Sequence, residues 1–201
     1  SLPYSTFPHN YTENPVLFIR LAASQTGHRQ AIIRPTVSER LDYEGELAVV
    51  IGKPGRHISQ DNAMSHIAGY SCYNDGSVRD WQRHTSQFTA GKNFASTGAF
   101  GPWLVTPDEI NDPFNLDLAT RVNGTELQRT NTSLLIHSIQ KLIAYISDFT
   151  PLVPGDVIVT GTPPGVGMGF KPPRFLKDGD TMRLGIEGLG EQSQNVKAYK
   201  A

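Results

Sequence analysis

The sequence predicts a mainly β protein with few helices (α+β), folded as a single domain. Two observations lead there. The 201 residues include 19 glycines and 14 prolines, which break the chain at short intervals and favour brief strands joined by turns. No internal repeat, low-complexity tract or long linker divides the chain.

The elements follow in order. Residues up to about Asn14 are polar and proline-broken and predict an extended arm, with the folded domain running over 15–201. Val16–Ile19 and Ala31–Ile33 are short apolar runs bounded by Pro15 and Pro35, and predict strands. The strongest strand signal is Tyr43–Ile51, closed by Gly52-Lys53-Pro54-Gly55. Ser59–His66 predicts a short helix, with Ser59 as cap and Asp61 in the first turn, where the helix dipole favours negative charge. Ile67–Tyr73 predicts a strand running into the turn Asn74-Asp75-Gly76. Leu116–Val122 followed by Asn123-Gly124 predicts one arm of a hairpin with a type I′ turn. The best helix is Ser133–Phe149, where Leu135, Ile139, Leu142, Ile146 and Phe149 form one apolar stripe behind a cap at Thr132 or Ser133. Val157–Thr160, Thr181–Ile186 and Gln194–Ala198 predict the last strands, with a glycine- and proline-rich loop at Gly161–Gly169.

Composition excludes several classes of function. Apolar runs such as Leu47–Ile51 are far short of the roughly 20 residues a membrane helix needs. With 18 basic and 19 acidic residues the net charge is -1 and no basic stripe stands out, which argues against nucleic acid or an anionic membrane as partner. One cysteine, Cys72, excludes an internal disulfide framework and a cysteine-rich zinc site, and fits a cytoplasmic setting. Cys72 itself reads as buried packing. The six histidines are scattered, with no pair at metal-ligand spacing and no Gly-x-Ser-x-Gly elbow.

Chemistry-bearing residues begin with Glu44 and Glu46. Residues two apart in a strand point to one face, so two carboxylates project side by side. They mark either the solvent face of a half-buried strand or an oxygen-ligand site for a hard divalent ion such as magnesium, calcium or manganese. Asp75, at the end of a predicted strand, either completes that set or caps its own turn. Arg79 and Gln82 share a face if Ser77–Gln82 forms one helical turn, either a pairing suited to a carboxylate or an oxyanion or simply a surface helix anchored by Trp81. Lys92 follows a glycine in an uncharged, aromatic stretch and is either a solvated loop lysine or a partly buried cation. Gly161-Thr162-Pro163-Pro164-Gly165-Val166-Gly167 lacks the Gly-Lys-Ser/Thr ending of a phosphate loop, but its glycines let backbone and the Thr162 hydroxyl approach a small ligand.

Taken in order, these segments resemble the fumarylacetoacetate hydrolase (FAH) family. The matching pieces are Asp42-Tyr43-Glu44-Gly45-Glu46-Leu47 with Val49–Gly52, Gly69-Tyr70, Asn74-Asp75 and Arg79-Asp80-Trp81-Gln82. Gly91-Lys92-Asn93-Phe94, Gly101-Pro102-Trp103, Val122-Asn123-Gly124, Pro154-Gly155-Asp156 and Thr160-Gly161-Thr162-Pro163 continue the match. The resemblance implies a rolled, mixed β-sheet fold, usually a homodimer, and a Mg2+ or Mn2+ ion (Ca2+ also suits) held by Glu44, Glu46 and Asp75. It implies a small 2-oxo or 1,3-dioxo carboxylic acid as substrate, with C–C bond hydrolysis through a metal-stabilised enolate as the expected reaction and aromatic-compound breakdown as its setting. Decarboxylation of an oxaloacetate-like acid, isomerisation or hydration of an oxo-dienoate, and a non-catalytic binding member are the alternatives. Lys92, Arg79 and Gln82 would be catalytic, stabilising negative charge. Gly161, Thr162 and Tyr73 would bind substrate, Thr162 orienting its carboxylate.

Two departures accompany the resemblance. Pro8-His9-Asn10-Tyr11-Thr12-Glu13 does not reproduce the Tyr-x-x-His-x-x-Glu pattern of the family's lid helix, so that segment is expected upstream of Ser1 or missing. Arg20-Leu21-Ala22 stands where many relatives have Lys-Pro-Ser or Thr.

Overall fold

The computed structural model describes residues 13–200, so nearly all of the predicted arm, His9 included, lies outside the described residues. Its strands are β1 (Gln25–Gly27), β2 (Ile32–Arg34), β3 (Leu41–Asp42), β4 (Gly45–Ile51), β5 (Ile67–Asp75), β6 (Ser77–Val78) and β7 (Gly98–Phe100). They continue as β8 (Asp117–Val122), β9 (Thr125–Asn131), β10 (Val157–Val159), β11 (Thr181–Ile186) and β12 (Gly190–Ala198). The helices are α1 (Gln60–Ala63), α2 (Arg79–Gln82), α3 (Thr89–Lys92) and α4 (Ile139–Phe149).

Every residue of β4 is buried, which requires cover on both faces. One sheet has the order β1-β7-β5-β4-β10, a second the order β2-β12-β11-β8-β9, and β3 pairs β6 as a two-stranded ribbon. Most pairings are antiparallel, but β1–β7 and β2–β12 are parallel, so both large sheets are mixed. Alternation places Met182, Leu184, Ile186 and Val196 of the second sheet in the core with Leu47, Val49 and Ile51 of the first. The fold is mainly β with few helices, a single domain, as the glycine and proline pattern predicts.

Turn chemistry sets the hairpin between β8 and β9. Asn123 and Gly124 both take positive φ, at 50° and 78°, as a type I′ turn requires. Gly45 sits where β4 presses on the second sheet: an added Cβ would lie 2.1 Å from Thr120 Oγ1 and 2.9 Å from a Leu184 methyl. Any side chain there would drive the sheets apart.

Four elements differ from expectation. Asn74 and Asp75, expected in a turn, are the last two residues of β5, where they pair with Gly45 and Gly98. The helix predicted over Ser133–Phe149 starts six residues later. Asn131 caps a single 3-10 turn at Thr132–Leu134, Leu135 takes ψ 127°, and Ser138 then caps α4 by accepting from Lys141 N–H at 3.2 Å. Two Ser/Asn caps in one apolar pattern split it, and Phe149, assigned to the buried stripe, is 61% exposed. The predicted strand Val16–Ile19 is irregular and exposed, because no strand among the described residues pairs with it. Asn93 holds it instead, donating to Ile19 O at 2.9 Å and accepting from Leu21 N–H at 2.6 Å. The Ser59–His66 segment divides into α1 and a 3-10 turn, with no side-chain cap bond from Ser59.

Candidate active site

The register of β4 against β5 assembles the site. Gly45 lies opposite Asn74 and Glu46 opposite Tyr73, and one rung further Asp75 N–H donates to Glu44 O at 2.8 Å. Residues opposite one another in an antiparallel pair share a face. Glu44, Glu46, Tyr73 and Asp75 therefore converge, and the three carboxylates place one oxygen each within 4.8 Å of one another, all buried. Asn74, within β5, accepts from Glu44 N–H at 2.9 Å and so holds the residue that leads into β4.

Three cations answer this charge. Lys92, 2% exposed at the end of α3, sets its Nζ 2.6 Å from Glu44 Oε2 and 2.6 Å from Asp75 Oδ2. The Phe18 ring covers that ammonium, 4.7 Å from its centroid. Arg79, on the single turn α2, reaches Glu44 Oε1 at 2.6 Å and Asp42 Oδ2 at 2.8 Å, and donates to Gln82 Oε1 at 3.0 Å. The expected Arg79–Gln82 face is thus formed, and it addresses Glu44. Arg20 pairs with Asp75 and donates to Gly76 O at 3.0 Å and Thr97 Oγ1 at 2.9 Å.

Electrostatics separates the two glutamates. Burial raises the Glu44 pKa, but the Arg79 and Lys92 charges outweigh it and hold it at about 2. Glu46 has no ion-pair partner among the described residues and accepts only the Gly161 N–H. Burial, then the neighbouring Asp75 and Glu44 carboxylates, push it well above the usual carboxylate range. For Lys92, burial opposes the ammonium, while Glu44 and Asp75 win and raise its pKa. Lys92 stays charged. Of the three carboxylates Glu46 alone has no cation beside it, and an all-oxygen set with that place open fits a hard divalent ion.

On the loop side, Gly161 takes φ 104° with open space where a Cβ would be. The Thr162 hydroxyl donates to Gly45 O at 3.2 Å and accepts from Gln128 Nε2 at 2.9 Å. Tyr73 forms a wall beside the carboxylates, its hydroxyl donating to Gln25 Oε1 at 2.8 Å.

Sequence reasoning did not single out Arg20, Asp42 or Gln128 as site residues. Asp42 is fully buried and accepts from Gly167 N–H at 2.7 Å and Met168 N–H at 2.9 Å as well as from Arg79. A carboxylate two residues before Glu44, and an arginine inside the apolar run 16–21, are the signals that could have found the first two.

Fold and site together define a class. Residues 5–197 match the fumarylacetoacetate (FAA) hydrolase C-terminal family, and the chain belongs to that family. Among its relatives is the human mitochondrial oxaloacetate tautomerase FAHD2A, 46% identical over 180 residues. That match covers 89% of this chain and 57% of the tautomerase, so the chain spans little more than half of that relative's length. Among solved structures, fumarylacetoacetate hydrolase from the psychrophile Exiguobacterium antarcticum superposes with a TM-score of 0.89 at 40% identity, covering 95% of this chain and 69% of that one. A 5-carboxymethyl-2-hydroxymuconate delta-isomerase from Mycobacterium smegmatis gives 0.86 at 38% identity, covering 94% and 71%. The relatives are enzymes of tautomerase, isomerase and hydrolase type.

Proposed function

We propose that this chain forms the divalent-metal and oxo-acid site of an enzyme that moves a proton between carbon and oxygen of a small 2-oxo carboxylic acid, an oxaloacetate-type tautomerase. The observation that carries it is the convergence of Glu44, Glu46 and Asp75 within 4.8 Å beside cationic donors that are not fully committed. Bound by those three carboxylates, Mg2+ or Mn2+ would supply Lewis-acid stabilisation of the charge that develops on the substrate's oxo oxygen.

The chain's own residues supply donors for that charge. Lys92 Nζ has three hydrogens, of which Glu44 and Asp75 take two, leaving one donor for a developing oxyanion. Arg79 Nη2 is buried without a partner, a donor matched to a substrate carboxylate. Phe18 over Lys92 keeps water from the ammonium and strengthens its pull on negative charge. Similarity to the human tautomerase favours proton transfer as the reaction.

Cleavage of a C–C bond in a 1,3-dioxo acid is the second reading. The fold's close likeness to a fumarylacetoacetate hydrolase favours it, and both reactions place negative charge on the same oxygen. The test follows loss of the oxaloacetate enol and, separately, cleavage of acetylpyruvate, each with Mn2+ and then with EDTA. Metal-dependent ketonisation without acetylpyruvate cleavage supports the tautomerase. Cleavage faster than ketonisation supports the hydrolase, and neither activity despite Mn2+ binding overturns both.

A further inference from the structure

A row of four buried side chains in the second sheet, three of them polar, touches neither metal nor substrate in the function proposed above. The pairing of β11 with β12 and β8, and of β8 with β9, aligns Gln192, Leu184, Thr120 and Gln128 across its inner face. Gly45, between two of the carboxylates, rests on this row, and only its missing side chain allows the approach.

Gln128 is 1% exposed and its amide is fully directed. Oε1 accepts from Gly45 N–H at 3.0 Å, while Nε2 donates to Thr162 Oγ1 at 2.9 Å and to Pro163 O at 2.9 Å. A backbone N–H on one side and a carbonyl on the other admit one orientation of the amide. Because the Thr162 proton goes to Gly45 O, Gln128 also fixes the hydroxyl's rotor. One side chain, 34 residues before Thr162 and 83 after Gly45, thus joins the carboxylate strand to the loop that faces it.

We infer that Gln128 is a positioning residue: it sets the spacing between the Glu44–Glu46 segment and the loop at Thr162–Pro163, and so the room for an oxo acid. The claim rests on the proposed function for its ligand, but not for its geometry. Gln192, on the same row, is the matched control. Its Nε2 donates to Ala99 O at 2.9 Å and Gly101 O at 3.2 Å, away from the loop.

The experiment compares wild type, Gln128→Met, Gln128→Glu and Gln192→Met in two measurements. Amide hydrogen exchange follows residues 161–169, and calorimetry follows Mn2+ alone and then oxalate on the Mn2+-loaded protein. Gln128→Met should speed exchange in the loop and weaken oxalate about 10-fold, the worth of a buried hydrogen bond or two, with Mn2+ affinity changed less. Gln128→Glu keeps the acceptor for Gly45 N–H but loses both donors, and should free the loop likewise. Gln192→Met should do neither. Adding Thr162→Val to Gln128→Met should weaken oxalate by less than the product of the two single effects, because the two side chains share a hydrogen bond. Unchanged loop exchange in Gln128→Met, equal effects from Gln192→Met, or multiplying effects of Gln128→Met and Thr162→Val would overturn the inference. If wild type binds Mn2+ but no oxalate, the proposed function fails, and loop exchange alone decides the positioning role.

Discussion

Lys92 holds two carboxylates at 2.6 Å each in a site that water scarcely reaches. Removing one partner of a buried ion pair leaves the other charges uncompensated and costs about 3–5 kcal/mol. Lys92→Met should therefore lower the melting temperature of metal-free protein by about 6–20 °C, at about 2–4 °C per kcal/mol for a chain of this size. A divalent cation can take over the lost neutralisation, so the rise in melting temperature on adding Mn2+ should be larger in the variant than in wild type. Equal rises would show that Lys92 does not neutralise these carboxylates. Glu46 gives the pH dependence. A carboxyl with a folded pKa above its unfolded value binds protons on folding, so its stabilisation is present at low pH and lost as pH rises through the folded value. Mn2+ displaces that proton, and the metal-induced rise should grow from acidic pH to pH 8. Glu44 has the opposite sign: held at about 2, it stabilises the protein above its unfolded pKa and gives that up only as pH falls toward 2. The sequence shows the Glu44–Glu46 pair through strand period and Asp75 through its strand end. It does not show Arg20 on Asp75 or Asp42 on the 167–168 backbone, because those contacts close over 55 and 125 residues and no local pattern encodes them.

At the scale of elements, β4 carries the site and also packs against the second sheet, and Gly45 must satisfy both. Gly45→Ala would set a methyl 2.1 Å from Thr120 Oγ1, and overpacking of this kind costs about 1–3 kcal/mol. The urea midpoint should fall with unchanged slope, and Mn2+ should bind more weakly because the carboxylates on either side move with the strand. A variant with wild-type Mn2+ affinity would show that sheet contact and site geometry are independent. Helix α4 offers the contrast. Ser138→Ala removes its cap and should cost about 1 kcal/mol, with Mn2+ affinity untouched because α4 contributes nothing to the site. Strand and turn signals were legible at Asn123-Gly124, where the turn has its own chemistry, but not at Asn74-Asp75, whose turn-forming residues continue β5. The start of α4 was not legible either, since Leu135 continues the apolar period and only the competing caps at Asn131 and Ser138 reveal the break. Val16–Ile19 misleads for a related reason: it has a strand's composition but no partner strand, and composition cannot supply one.

For the whole molecule, the carboxylates lie where the first sheet, the 161–169 loop and the second sheet meet, so a cation bound there ties together parts distant in sequence. Linkage then makes metal affinity a term in global stability. At a concentration of 100 Kd, Mn2+ should add about 2.7 kcal/mol, which is about 5–11 °C at the same conversion. Glu46→Gln tests whether the site is held at a cost to the fold. The substitution removes the one carboxylate of the three with no cationic partner and relieves its repulsion with Asp75 and Glu44. Metal-free Glu46→Gln should therefore melt at or above the wild-type temperature at pH 8, while losing most of the Mn2+-induced rise and the pH dependence of that rise. A lower metal-free melting temperature would mean that Glu46 stabilises the fold through Gly161 N–H rather than waiting for a cation. A full Mn2+ response in the variant would remove Glu46 from the ligand set. The expected pair of results, a more stable protein that no longer responds to metal, follows only if three carboxylates were gathered on one face for a ligand the chain itself does not supply.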